Sequence, residues 1–152
     1  MENMLLQEQY ALVATIDPAN VTDTHSDYID MSKFHEVLGI LLTGNMSAHA
    51  IDFAVYGYSD TSATGVTEIK AITQLAADAA LNDNAQAMIS VRNEDVLAKA
   101  NSSGYALRYV RFRIVSGSQT GYSAAVVLGK PKKGLASAEN LSTVAEVETD
   151  RS

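Results

Sequence analysis

Tyr105-Ala-Leu-Arg-Tyr-Val-Arg-Phe-Arg-Ile-Val115 is the longest unbroken strand pattern in the chain. Val110, Phe112 and Ile114 share one parity, and Tyr109, Arg111 and Arg113 share the other. Successive side chains of a strand point to opposite faces, so this period of two describes a sheet with one dry side and one wet side. Ser116-Gly-Ser-Gln-Thr-Gly121 follows. It suits a turn, because Gly reaches positive φ without steric cost and Ser and Thr bond to nearby backbone. Residues 122–128 are small and β-branched and read as a second strand, stopped by Gly129 and Pro131. The two strands are expected to form a β-hairpin in the middle of a sheet.

On the N-terminal side the same pattern recurs in shorter pieces. Residues 10–16 alternate, with Leu12, Ala14 and Ile16 on one face, until Asp17-Pro18 interrupts them. Proline fixes φ, lacks a donor and restricts the residue before it. In Tyr28-Ile-Asp-Met-Ser-Lys-Phe34, Ile29 and Met31 share a face. The run Val37-Leu-Gly-Ile-Leu-Leu42 is too short for a typical helix and fits a strand buried on both faces. Residues 49–58 place Ile51, Phe53 and Val55 inward and Asp52, Tyr56 and Tyr58 outward. A polar loop spans 59–65. Residues 66–75 read as strand, and 76–81 as one or two helical turns or a loop, since the alanines favour helix. Residues 85–92 form a strand with Ala87, Ile89 and Val91 inward. Residues 93–100 suit a short helix capped by Asn93, with Glu94 and Asp95 at its positive end.

This spacing predicts a mainly β fold, an antiparallel sandwich or jelly-roll-like domain with one or two short helices. Its core is expected to hold Ile51, Phe53, Val55, Ile89, Val91, Val110, Phe112 and Ile114. Residues 1–9 read as an N-terminal arm, 10–130 as the β domain and 131–152 as a C-terminal tail. The tail holds either a short helix near 136–146 or an extended segment, lying over the domain or reaching a neighbour.

The 152 residues suffice for a single core without staples. Zero Cys excludes disulfides, thiol catalysis and thiolate zinc sites. A formal net charge of −7 argues against nucleic acid as a partner. No apolar run approaches the roughly 20 residues of a membrane helix, so no membrane partner is expected, and residues 1–9 lack the basic start and apolar core of a signal peptide. His25, His35 and His49 lack the close spacing of a metal pair. Asp83 stands between two asparagines without the ladder of a calcium loop. Gly117-Ser-Gln-Thr-Gly121 misses the nucleophile elbow by one residue and lies between two strands. The expectation is no catalytic residue, no cofactor and no metal, in a protein that is not an enzyme.

Arg108, Arg111 and Arg113 stand near Tyr105, Tyr109 and Tyr122, a basic and aromatic patch in an acidic chain. Tyr and Arg are enriched at protein interfaces. Two readings stand side by side: an interaction surface, or a sheet face with internal Arg–carboxylate pairs to Asp52 or Glu94. RNA stacking is a third and weaker reading, disfavoured by the charge. The candidate interaction residues are Leu5 and Leu6 on the arm and Tyr109, Arg111 and Arg113 on the central strand.

Tyr28-Ile-Asp-Met-Ser-Lys-Phe34, Ala71-Ile-Thr-Gln-Leu75 and Ala124-Ala-Val-Val-Leu-Gly129, with Ile89-Ser-Val-Arg92 between them, resemble small head proteins of tailed bacteriophages over about residues 10–130. The resemblance implies a capsid decoration (cement) protein on the virion surface, made in the host cytoplasm. Its partners would be the major capsid protein and copies of itself, as a dimer or trimer. A head–tail joining or tail structural protein is the alternative. A glycan-binding sandwich and a small hydrolase stand further off.

Overall fold

The computed structural model describes residues 6–19, 22–46, 49–117 and 122–145. A single turn of helix, α1 (Leu6–Gln9), precedes β1 (Ala11–Ala19). Then come β2 (Asp23–His25), β3 (Ile29–Asp30), β4 (Phe34–Thr43), β5 (Ile51–Tyr58) and β6 (Thr67–Ala71). The short α2 (Ala79–Asn82), β7 (Gln86–Arg92) and α3 (Asn93–Ser103) lead to β8 (Tyr109–Ser116) and β9 (Ser123–Pro131), and a 3-10 turn follows at Ala136–Glu139. Two antiparallel sheets form a sandwich. One has four strands in the order β1-β9-β4-β7, and the other runs β2-β8-β5-β6 with β3 also on β8.

The predicted mainly β sandwich is therefore observed, but the predicted hairpin is not. β8 and β9 lie in different sheets. Both flanks of β8 are already filled, by β2 and β3 on one side and β5 on the other, while β9 sits between β1 and β4. Strands adjacent in sequence pair only when an edge is open. Here the chain crosses from one sheet to the other between Ser116 and Ser123.

The core sits where the inward parities of the two sheets meet, and it contains all eight of the residues expected there. Its centre is a glycine. A Cβ on Gly39 of β4 would stand 2.2 Å from the ring of Phe112, which projects from β8 in the opposite sheet. Phe53 stacks on Phe112 with ring centroids 5.6 Å apart. Interiors are packed at crystal density, so the missing side chain at 39 is the volume that the Phe112 ring fills.

Several local expectations change. Along β1 the register shifts between Leu12 and Ala14, so Ala11 and Val13 face inward before the shift and Ala14 and Ile16 after it. Leu12 consequently faces outward, against the simple alternation. The strand also runs through Asp17-Pro18, which an edge strand tolerates because one of its sides needs no donor. β4 is not buried on both faces: Leu38 and Ile40 are half-buried and Leu42 is 42% exposed. Tyr58, assigned outward, is buried beneath Tyr28 (rings 5.2 Å apart, edge to face). In 67–82 the strand stops at Ala71, a single bridge joins Leu75 to Ile51, and α2 follows. α3 runs on to Ser103, where Gly104 at φ 75° closes it. Asn93 does not cap that helix; its amide donates to the Phe34 carbonyl. Asp95 caps instead, accepting the Arg92 N–H at 2.9 Å.

Past β9 the chain returns to β1. The Leu12 N–H donates to Asn140 Oδ1 and the Leu141 N–H donates to the Leu12 carbonyl, both at 2.8 Å. These bonds occupy the outer edge of β1, which would otherwise present unpaired backbone groups.

Candidate interaction faces

The outer face of the five-stranded sheet is built on the odd residues of β8. Its organisation starts with Ser26, between β2 and β3. The Ser26 N–H donates to the Phe112 carbonyl at 2.9 Å, and Ser26 Oγ accepts the Phe112 N–H at 3.0 Å, in place of a strand carbonyl. This side-chain substitution lets residues 26–28 rise off the sheet. Tyr28 is thereby carried over the face, where its ring lies edge-on to Tyr58 and to Tyr109 (centroids 6.4 Å apart).

Each arginine of the patch is held. Arg113 makes a two-pronged bond to Asp23 (2.9 and 2.6 Å) and lies 5.7 Å from the Tyr56 ring. Arg108 makes the same fork to Asp30 (3.0 and 2.6 Å), 5.2 Å from the Tyr109 ring. Arg111 pairs with no carboxylate among the described residues. Its Nε donates to the Ser26 carbonyl at 2.7 Å and its guanidinium sits 4.4 Å from the Tyr28 ring centroid. The expected internal pairs are thus present, but the partners are Asp23 and Asp30. Asp52 accepts from Gln74 Nε2 instead, and Glu94 lies on α3. Asp23 and Asp30 escape a reading of β8 alone because they belong to two short strands whose pairing to it is long-range.

These contacts shift the charges. The hydrogen bond from Arg108 holds Asp30 well below the usual carboxylate range, against a smaller penalty from burial. The bond from Arg113 lowers Asp23 likewise, and Asp23 raises Arg113 in return. Burial lowers His25, helped by the positive charge of Arg111, while Asp23 opposes. Burial raises Tyr58. Beside this face an open cleft of about 300 Å³ runs along Asp52, Tyr56, Glu68 and Arg113, where the Tyr56 hydroxyl donates to Glu68 at 3.2 Å.

The five candidate residues do not come together. Tyr109, Arg111 and Arg113 lie on this face. Leu6, 74% exposed, lies on the other side of the sandwich, where it lines a groove over the four-stranded sheet. Leu5 lies outside the described residues. The sequence reading missed that second surface: an apolar groove of about 720 Å³ whose wall is α1 and the chain around Asn140 and Val144, and whose floor includes Leu12, Leu38 and Leu128. Its signal was the six-residue apolar run of β4.

Among the described residues no three of His, Asp or Glu are grouped to hold a metal ion. No helix among them is long and apolar enough to cross a membrane. His49 is buried and His35 is exposed.

No protein-family model matches the chain, and no curated protein matches it. Similar solved structures include that of the PBSX exported protein XepA, with a TM-score of 0.51 at 12% identity, covering 98% of this chain and 45% of that one. They also include the K3 cleaved adhesin domain of the Lys-gingipain of Porphyromonas gingivalis, with a TM-score of 0.43 at 12% identity over 71% of this chain and 63% of that one. A chain in the structure of Triatoma virus has a TM-score of 0.38 at 6% identity, over 85% of this chain and 66% of that one. This chain therefore spans less than half the length of the XepA chain, and at 12% identity that likeness is one of fold.

Proposed function

We propose that this protein is a virion structural component that decorates the exterior of a tailed-phage head. It binds the lattice of the major capsid protein non-covalently, strengthens the shell and turns over no substrate. The observation that carries the reading is the ordered Tyr–Arg–Asp face of the five-stranded sheet. Tyr28, Tyr56 and Tyr109 offer broad contact area with polar tips. Arg108, Arg111 and Arg113 are already fixed by Asp30, Ser26 and Asp23. A face whose long side chains are ordered before contact loses less entropy on binding. The sequence resemblance to phage head proteins points to the same role. A protein that binds only the assembled lattice stabilises it by mass action, because every contact it makes vanishes when the shell comes apart.

The test adds the purified protein to particles that lack it and follows their thermal disruption. Saturable binding with a raised disruption temperature is expected, at a stoichiometry matching the whole shell. Replacing Tyr109 and Arg111 by Ala should weaken binding while the circular dichroism spectrum stays unchanged. Binding restricted to the portal vertex would transfer the protein to the head–tail joining class, and no binding to shells of any form would overturn the reading.

A further inference from the structure

The two outer faces of the sandwich differ in chemistry, and each serves as the control for the other. On the five-stranded sheet the outward positions of β5, β6 and β8 include Asp52, Tyr56, Glu68, Tyr109, Arg111 and Arg113. On the four-stranded sheet the register aligns Leu12, Leu128, Leu38 and Ser90 in one outward row. The next row is Thr15, Val126, Ile40 and Met88, and the next holds Ala124, Leu42 and Gln86. In these three rows the side chains of β9, β4 and β7 are uncharged, and at the β1 edge Asp17 accepts from Thr15 Oγ1 at 3.4 Å. At the other end Glu36 pairs in register with Arg92 and Lys130, and its carboxylate lies 3.7 Å from Arg92 Nε.

Two observations bear on what covers this face. β4 has the composition of a strand that is dry on both sides, and within the described chain only one of its sides is fully buried. Met88, in the middle row on the edge strand β7, is 65% exposed, and Leu42, at the end of β4 away from Glu36, is 42% exposed. The second observation is size. Four strands about 4.8 Å apart, with four outward rows roughly 7 Å apart, give a face on the order of 500 Å² in projection. Side-chain relief and the wall of Leu6, Tyr10 and Val144 raise the accessible area towards the roughly 800 Å² per partner of a standard interface.

The chemistry then selects the occupant. An uncharged apolar centre gains nothing from a charged partner surface, but it complements itself. A two-fold copy lays apolar rows on apolar rows. With the axis running across the strands it also sends the two Glu36–Arg92–Lys130 ends to opposite rims, so that like charges do not meet. The net charge of −7 per chain is screened over about 8 Å at physiological salt.

We propose that the outer face of the four-stranded sheet is a two-fold interface between copies of this chain, stacking two sandwiches sheet on sheet around Ile40, Leu42, Met88, Val126 and Leu128. The opposite face, with its tyrosines and arginines, is left outward on both sides of the dimer.

The experiment is sedimentation of the full chain across the micromolar range, without capsids, so its outcome is independent of the decoration reading. A reversible dimer is expected. Met88→Lys places a charge on an exposed side chain and leaves the fold intact by circular dichroism. It should weaken the dimer by more than about tenfold, since the two-fold buries one such charge from each copy among apolar side chains. Because the chain has no Cys, Leu42→Cys or Met88→Cys supplies a single thiol, and oxidation should trap a covalent dimer efficiently through one of the two positions. A chain monomeric at every concentration overturns the proposal. So does a dimer indifferent to Met88→Lys, or an assembly of three or more copies in a ring.

Discussion

The guanidinium of Arg111 lies 4.4 Å from the ring centroid of Tyr28, with its Nε on the Ser26 carbonyl, so residues on a strand and on an adjoining loop clasp each other across 83 positions of sequence. The clasp also covers Tyr58. Tyr28→Ala should destabilise the fold by about 1–3 kcal/mol, combining a lost cation–π contact with the uncovering of an apolar ring. Tyr28→Phe, which keeps the ring, should stay within about 0.5 kcal/mol of the parent. Urea unfolding measures both, and a neutral Tyr28→Ala would mean that the loop contributes nothing.

Gly39 and Phe112 should behave as one unit. Phe112→Ala is expected to cost about 3–5 kcal/mol as a buried large-to-small change. Gly39→Ala drives a methyl into the same ring and should cost about 1–3 kcal/mol by overpacking. In a double-mutant cycle the cost of Gly39→Ala should shrink in the Phe112→Ala background, since the methyl then enters the space the ring has left. Simple additivity would contradict the packing described.

Acid should weaken the protein in two stages. His25 has a folded pKa below 6.5, so the unfolded chain takes up its proton first. Its contribution is complete above pH 6.5 and declines as the pH falls below that value. Asp23 and Asp30 are also depressed, from 3.8, so their contribution is present above that value and is lost as the pH falls through their lower folded pKa values. Arg108→Ala should flatten the Asp30 part of the curve and His25→Asn the part just below pH 6.5. Denaturant midpoints read at a series of pH values test both slopes.

Asn140→Ala removes the acceptor for the half-buried Leu12 N–H. The expected cost is about 1–3 kcal/mol, the usual range for a donor left without its partner. Because those bonds close the outer edge of β1, the variant should also aggregate faster when incubated near its unfolding midpoint, as followed by light scattering. Unchanged stability and solubility would show that the edge is protected in another way.

The alternation in residues 49–58, 85–92 and 109–115 determined the β class and the inward residues by itself, because a period of two is a local property of each strand and survives whatever the strand pairs with. The Arg and Tyr parity of β8 was legible for the same reason. Tertiary structure decided everything that depends on pairing. It sent β8 and β9 to different sheets because both flanks of β8 were taken by strands from elsewhere. It chose Asp23 and Asp30 as the partners of the arginines, across 90 and 78 residues. It slipped β1 by one residue at Leu12, which turned that side chain outward. The apolar run of β4 was plain in the sequence, but which of its two faces would remain open was decided only by the placement of a second sheet against Gly39.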